Sequence, residues 1–117
     1  MGSMDDLSRV FDALANEHRR QIVLLLALQP RSISQLAEFR GLSLPAIHKH
    51  IRVLEEAAMV RRRKVGRTNF LALEREPLIR LHGWTAQFNA WWGTEGETLD
   101  NYIAYLQRDP DPTEEEA

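Results

Sequence analysis

The residues with the clearest chemistry are basic, and they are concentrated in one part of the chain. Between Ser43 and Phe70 there are seven lysines and arginines and two glutamates, a net charge of +5. The whole chain of 117 residues carries a charge of −2, so the remainder carries −7. A basic segment on an otherwise acidic protein is typical of a local binding face for a polyanion, with phosphate as the usual ligand group.

The sequence gives little support to catalysis or to metal binding. It has no cysteine, and it lacks the serine-elbow, phosphate-loop and metalloprotease motifs. His48 and His50 would point about 200° apart on one helix, so they do not form a ligand pair. The remaining histidines, His18 and His82, are distant in the sequence. We therefore expect no enzyme activity, no metal site and no cofactor.

The basic residues need a scaffold, and the stretch from Ser34 to Leu54 predicts one. It reads as two short helices joined by a tight turn, which is the pattern of a helix-turn-helix. Gly41 suits the left-handed position that follows the first helix. We expect Ser34 to cap the first helix and Ser43 to cap the second, with Pro45 in the first turn of the second helix.

The second of these helices is amphipathic. Its predicted core-facing stripe consists of Leu44, Ile47, Ile51, Leu54 and Ala58. Lys49 and Arg52 lie on the opposite side, and His48 lies on the flank. A polar helix face is most often simply solvated, so the choice between solvation and binding depends on the neighbouring segments.

A basic hairpin is predicted directly after this helix. The runs VRRRKV (Val60 to Val65) and TNFLAL (Thr68 to Leu73) are of strand type, and Gly66-Arg67 between them is a hairpin signal. Consecutive basic residues alone usually form a solvated charge run. Next to Lys49 and Arg52, contact with phosphate becomes the better interpretation.

Helices are predicted on both sides of this region. A first helix from Asp5 to Ala15 has an apolar face that would contact the core or a partner chain. A second helix, Glu17 to Leu28, is capped by Asn16 and nearly all apolar towards its end, so we expect it to be central. Pro30 and Arg31-Ser32 are expected to be a plain connection.

After about Pro77, apolar spacings of three and four residues continue for nearly thirty residues and predict one long helix, which Gly93 or Gly96 could kink or split. All three tryptophans lie there. A small domain has little room to bury them, so a dimer interface is favoured over an intramolecular core. Together with the first helix, the interface candidates are Leu7, Val10, Phe11, Leu81, Trp84, Phe88, Trp91, Leu99 and Tyr102.

Residues 1–4 are interpreted as a cloning remnant and a native methionine, and residues 109–117 as an acidic, disordered tail. Residues 5–108 then form one domain. No apolar run approaches the roughly 18 residues of a membrane span, and no signal peptide is recognisable. We expect a cytoplasmic protein without membrane contact.

The order of these elements resembles the ArsR family of winged helix-turn-helix repressors over nearly the whole chain. The most specific segments are LANEHRRQIVLLL (14–26), LSLPAIHKHIRVLEEAAMV (42–60) and RRRKVGRTNFLAL (61–73). The resemblance implies a mainly α fold with a small β-hairpin, dimerisation through N- and C-terminal helices, and a homodimer that binds an inverted-repeat operator in double-stranded DNA. An inducer, here unknown, would release it.

The resemblance also assigns contact residues. The helix after the turn would enter the major groove with Ser43, Pro45, Ala46, His48, Lys49 and Arg52. The hairpin would contact phosphate or the minor groove with Arg63, Lys64 and Arg67. The metal-sensing cysteine pair of the family is absent from SQLAEF, and Ala58 replaces a usual glycine, which we interpret as a mild change. A winged helix used for protein–protein contact is the alternative function.

Overall fold

The fold consists of helices and one short sheet. The computed structural model describes residues 4–88 and 95–108. The elements in chain order are α1 (Met4–Leu14), α2 (Glu17–Leu28), β1 (Arg31–Ser32), α3 (Ile33–Arg40), α4 (Leu44–Glu56), β2 (Val60–Val65), β3 (Thr68–Leu73), α5 (Glu76–Ala86) and α6 (Glu95–Arg108). The predicted fold class, mainly α with a small β-hairpin in a winged helix-turn-helix, is confirmed.

Helix starts follow from capping side chains. The side chain of Asn16 accepts a hydrogen bond from the backbone N–H of Arg19 at 3.2 Å, and α2 begins at Glu17, as predicted. α1 is displaced by one residue from the predicted range. Such a displacement is within the ordinary uncertainty of a helix end.

The cap of α3 differs from the prediction. Ser32, and not Ser34, accepts the backbone N–H of Gln35 at 3.1 Å, and the Gln35 side chain accepts the backbone N–H of Ser32 at 3.0 Å. This reciprocal pair is a capping box, which satisfies two otherwise unpaired donors. Ser32 is the cap because Gln35 follows it by three residues and can complete the capping box, whereas no glutamine follows Ser34 at that spacing.

The sheet is antiparallel with strand order β1-β3-β2. The predicted hairpin of β2 and β3 is present, with Val65 opposite Thr68 and Gly66 at φ 63° in the turn. β1 was expected to be a plain connection, but it pairs with β3 through Arg31 opposite Leu71. β3 is therefore the central strand, and Leu71 on it is completely buried.

The core forms where α4 packs on the preceding helices and the sheet. Ile47, Ile51 and Leu54 of α4 are completely buried, as their spacing predicted. The stripe was wrong at its two ends. Leu44 is 50% exposed, because it is the first residue of the helix. Ala58 lies beyond the helix end, where it is exposed and has φ 58°.

The predicted single long helix at the C-terminus is two helices. α5 ends at Ala86 and α6 begins at Glu95, so Gly96 lies inside the first turn of α6 and does not interrupt it. Gly93, residues 1–3 and the predicted acidic tail lie outside the described residues. One compact unit extends to Trp84 and a second begins at Thr85. None of the described helices is long and apolar enough to span a membrane.

Candidate nucleic-acid interface

α4 presents one side to solvent because its other side is fixed in the core. The Ser43 hydroxyl accepts the backbone N–H of Ala46 at 3.3 Å, and Pro45 lies in the first turn, both as predicted. Ser43, Pro45, Lys49 and Arg52 are exposed, whereas Ala46 and His48 are half-buried. The side of α4 opposite the core is therefore polar and positively charged.

The arginines of the β2–β3 hairpin, which we call the wing, differ in their partners. Arg61 forms an ion pair with Glu74 at 3.1 Å, and Arg62 forms one with Glu55 of α4 at 2.9 Å. Over residues 4–88 and 95–108, no acidic group pairs with the remaining wing cations. These are Arg63, Lys64 and Arg67, all exposed.

The strand register places the wing cations on different faces. Lys64 lies on the same face as Val60 and the buried Leu71, which is the face that packs against the protein. Arg63 lies on the opposite face, with Phe70 across from it. Arg67 follows Gly66 in the turn at the tip. Arg63 and Lys64, predicted as one contact group, thus point to different sides.

The tip of the wing and the start of α4 meet at a shallow cavity of about 170 Å³. His48 and Leu44 of α4 and Arg67 of the wing line it together. Two predicted contact residues from separate elements are therefore adjacent. The remaining lining residues were not predicted as contacts; they are Ser32, Ile33, Ser34, Thr68 and Asn69. In the sequence these residues are typical of a turn or a strand, and nothing in that pattern indicates that they lie around one cavity.

A second polar cluster lies behind α4. The Arg19 side chain contacts Nδ1 of His50 at 3.3 Å, and Nε of Arg40 donates to Nδ1 of His18 at 3.1 Å. The two imidazole rings are 5.4 Å apart. Burial lowers the pKa of His50 below its ordinary 6.5, and the positive charge of Arg19 and the neighbouring His18 lower it further. Sequence reasoning missed this cluster, because three different helices contribute to it.

The predicted interface residues occupy different environments. Val10 is completely buried and Leu7 nearly so within the chain itself, so they have little surface to offer to a partner chain. Phe11 is 40% exposed and makes an edge-to-face contact with Trp84 at 5.1 Å. Leu81 packs against the core. Phe88, Leu99 and Tyr102 are exposed, and Trp91 lies outside the described residues.

Metal ligands do not converge in the part of the chain that the structure describes. No group of three or more histidine, aspartate or glutamate side chains there could hold an ion. His18 and His50 are close to each other, but arginines occupy the lone pair on Nδ1 of each ring.

Comparison with known proteins agrees with this geometry. A family model described as a helix-turn-helix domain matches residues 14–63. The transcriptional regulator Rv2034 of Mycobacterium tuberculosis is 36% identical over 105 residues, which cover 90% of this chain and 92% of that protein. KmtR of the same organism is 38% identical over 72 residues, 62% of this chain, and the match spans about half of its length (55%).

Solved structures give the same result at the level of the fold. The crystal structure of an ArsR family transcriptional regulator superimposes with a TM-score of 0.69 at 34% identity, over 74% of this chain and 89% of that one. The winged helix-turn-helix DNA-binding domain of Mb0332 from Mycobacterium bovis, a homodimer in solution, gives a TM-score of 0.62 at 29% identity, over 71% and 77% of the two chains. The fold and the site define a winged helix-turn-helix protein. This chain belongs to the ArsR family of transcriptional regulators.

Proposed function

We propose that this protein is a sequence-specific DNA-binding regulator that acts as a homodimeric repressor on an inverted-repeat operator. α4 enters the major groove with Lys49 and Arg52, and the wing contacts DNA phosphate or the minor groove with Arg63, Lys64 and Arg67. An inducer of unknown chemistry lowers the affinity. Because the operator is on the chromosome, we place the protein in the cytoplasm.

One observation carries the proposal: the cations on the outer side of α4 and at the wing tip are left without acidic partners, whereas their neighbours are paired. Glu55 and Glu74 hold Arg62 and Arg61. Lys49, Arg52 and Arg67 are exposed with no acidic partner in the described ranges. Exposed cations without acidic partners favour a polyanionic ligand.

The proposed dimer is supported by exposed apolar surface. On α6, Leu99 is 66% exposed and Ile103 41% exposed, which is costly in water for a helix of this length. On α1, Phe11 remains 40% exposed. Mb0332 has the same fold and is homodimeric. A two-fold dimer would also place two α4 helices about 34 Å apart, one turn of DNA.

The alternative function, a winged helix used only for protein–protein contact, finds no support among the relatives, which are transcriptional regulators. Such a module would have no need of unpaired cations on α4. We also infer that the protein is not an enzyme, since its relatives are transcriptional regulators.

The test compares three alanine variants on a duplex selected by the wild-type protein from random sequences. Lys49→Ala and Arg52→Ala should reduce the preference for the selected duplex over a scrambled one, because these side chains face the bases. Arg67→Ala should weaken binding to both duplexes and flatten the salt dependence by about one unit, because it neutralises a phosphate.

Arg61→Ala is the matched control. It removes the same charge from the same hairpin, but from an arginine that Glu74 already pairs. We expect affinity close to that of the wild type. Unchanged discrimination in both α4 variants at fixed salt would contradict the assignment of the major-groove helix.

A further inference from the structure

The polar cluster behind α4 joins all the helices that determine where α4 lies. His18 and Arg19 come from α2, Arg40 from α3 and His50 from α4. Arg19 also reaches α1: its Nε donates to the carbonyl of Ala13 at 2.8 Å and an Nη to that of Asp12 at 3.0 Å. These carbonyls are at the C-terminus of α1, whose dipole favours a cation there. Arg19 is therefore anchored, and it fixes the position of His50.

The hydrogen-bond chemistry determines the protonation of both rings. An arginine side chain can only donate, so Nδ1 of His18 must accept from Arg40 and Nδ1 of His50 must accept from Arg19. Each ring is then neutral and carries its proton on Nε2. Protonation of either Nδ1 would remove one of these hydrogen bonds and place a cation against an arginine.

No carboxylate compensates such a charge. The groups that face the two rings are Arg19, Arg40 and the rings themselves, and no described acidic side chain forms an ion pair with any of them. Asp12 contacts Arg19 through its backbone carbonyl, and no ion pair joins its carboxylate to Arg19. On β2, Arg62 is paired with Glu55. A protonated His50 would thus place a second positive charge against that of Arg19, between α2 and α4.

We propose that His18 and His50 are positioning residues that hold α4 in its DNA-reading place only while the imidazole of His50 is neutral, so that mild acidification weakens specific DNA binding. The proposal rests on the function proposed above. The pKa of His50 is lowered, which is the direction expected if the folded protein favours the neutral imidazole. The folded protein favours the neutral imidazole of His50. The stability that this imidazole contributes is therefore present above pH 6.5, and it is lost as the pH falls through the lowered pKa of His50.

The test measures affinity for the duplex selected by the wild-type protein, at about pH 8 and about pH 5.5 and at constant ionic strength. His48 lies in the proposed DNA interface, so its own imidazole must be removed from the comparison. The comparison is therefore made in a His48→Gln background, with and without the double substitution His18→Gln and His50→Gln. Glutamine stays neutral at both pH values, and its carbonyl can accept from the same arginines.

In the His48→Gln background, we expect affinity to fall several-fold on acidification, because the DNA-bound protein favours the neutral imidazole of His50. With both cluster histidines replaced by glutamine, affinity at pH 8 should be retained and the loss on acidification should disappear. The same pH profile with and without the double substitution, in proteins that circular dichroism shows to be folded, would overturn the proposal. Wild-type protein without sequence preference at pH 8 would instead refute the proposed function.

If the double variant does not fold, the wild-type protein provides the test. NMR titration of the imidazole of His50, free and bound to the duplex, should give a lower pKa in the complex, since DNA requires the neutral arrangement. Equal values in the free and bound protein would overturn the proposal.

Discussion

Single residues determine how the helices of the helix-turn-helix end. After α3, the N–H of Gly41 bonds to Glu38 O at 3.1 Å and that of Leu42 to Ala37 O at 2.9 Å. After α4, Ala58 N–H bonds to Glu55 O at 2.9 Å and Met59 N–H to Leu54 O at 3.0 Å. The two ends are the same motif, in which a left-handed residue is usually glycine. Gly41 has φ 64°, and Ala58 adopts φ 58° with a Cβ.

The alanine at position 58 is therefore strained, and not the mild change expected from sequence. We predict that Ala58→Gly raises the free energy of unfolding by about 1 kcal/mol, because the left-handed penalty is removed. The matched control, Gly41→Ala, should lower it by about 1 kcal/mol, although a methyl group there has free space. Urea unfolding measures both. A lower midpoint for Ala58→Gly than for the wild type would contradict the prediction.

The residue types predicted well which side chains are exposed. They predicted poorly which side chains form ion pairs or hydrogen bonds with one another. Lys49 and Arg52 are exposed because the side of an amphipathic helix opposite its buried apolar stripe faces solvent. Sequence could not distinguish Arg62 from Arg63, since the difference is a glutamate seven residues earlier on α4. The pairing of His50 with Arg19 likewise depends on tertiary packing.

At the scale of elements, the start of α3 offers a clear comparison between two serines. Ser32→Ala should lower the free energy of unfolding by about 1 kcal/mol, because Ser32 caps the helix through the box with Gln35. Ser34→Ala should change it by less than about 0.5 kcal/mol, because Ser34 is an exposed residue inside the helix. Thermal unfolding at one pH distinguishes them, and equal losses would refute the assignment of the cap.

The elements predictable from sequence are those with local signals. Asn16 and Gly66 mark α2 and the wing correctly, because a cap and a hairpin turn act over a few residues. β1 is a strand only because β3 lies beside it, and no pattern of two residues can indicate that. The apolar spacing of α5 and α6 continued across their interruption, so periodicity alone predicted one helix.

At the scale of the whole molecule, the proposed dimer can be tested without disturbing the core. Leu99→Glu should shift the protein towards monomer, because a charge in an interface centre is costly. The side chain is 66% exposed, so the folded chain should tolerate the change. Leu24→Glu on α2, where the leucine is 58% exposed and outside the proposed interface, is the control. Sedimentation over a range of concentrations measures both.

A wild-type protein that sediments as a monomer and still binds an inverted repeat tightly would refute the dimer. Trp84→Ala answers a different question, since Trp84 packs on Phe11 within the chain. Its effect would combine folding and association.

We further predict that transition metals do not control DNA binding. Zinc, copper and nickel prefer thiolate or convergent imidazole ligands, and the chain has no cysteine. Micromolar additions of each metal should leave affinity for the selected duplex unchanged. Stoichiometric zinc in protein purified without an affinity tag, whose removal by a chelator changes DNA binding, would be the contrary result.

The pairing of β1 with β3 has a consequence for the order in which the molecule folds. Arg31 lies opposite Leu71, so the pairing closes a loop that contains all of α3, α4 and β2. The entropy of closing that loop must be lost before its contacts form. During synthesis, the sheet can therefore be completed only after Leu71 has left the ribosome. α4 is therefore translated before the sheet beside it can be completed.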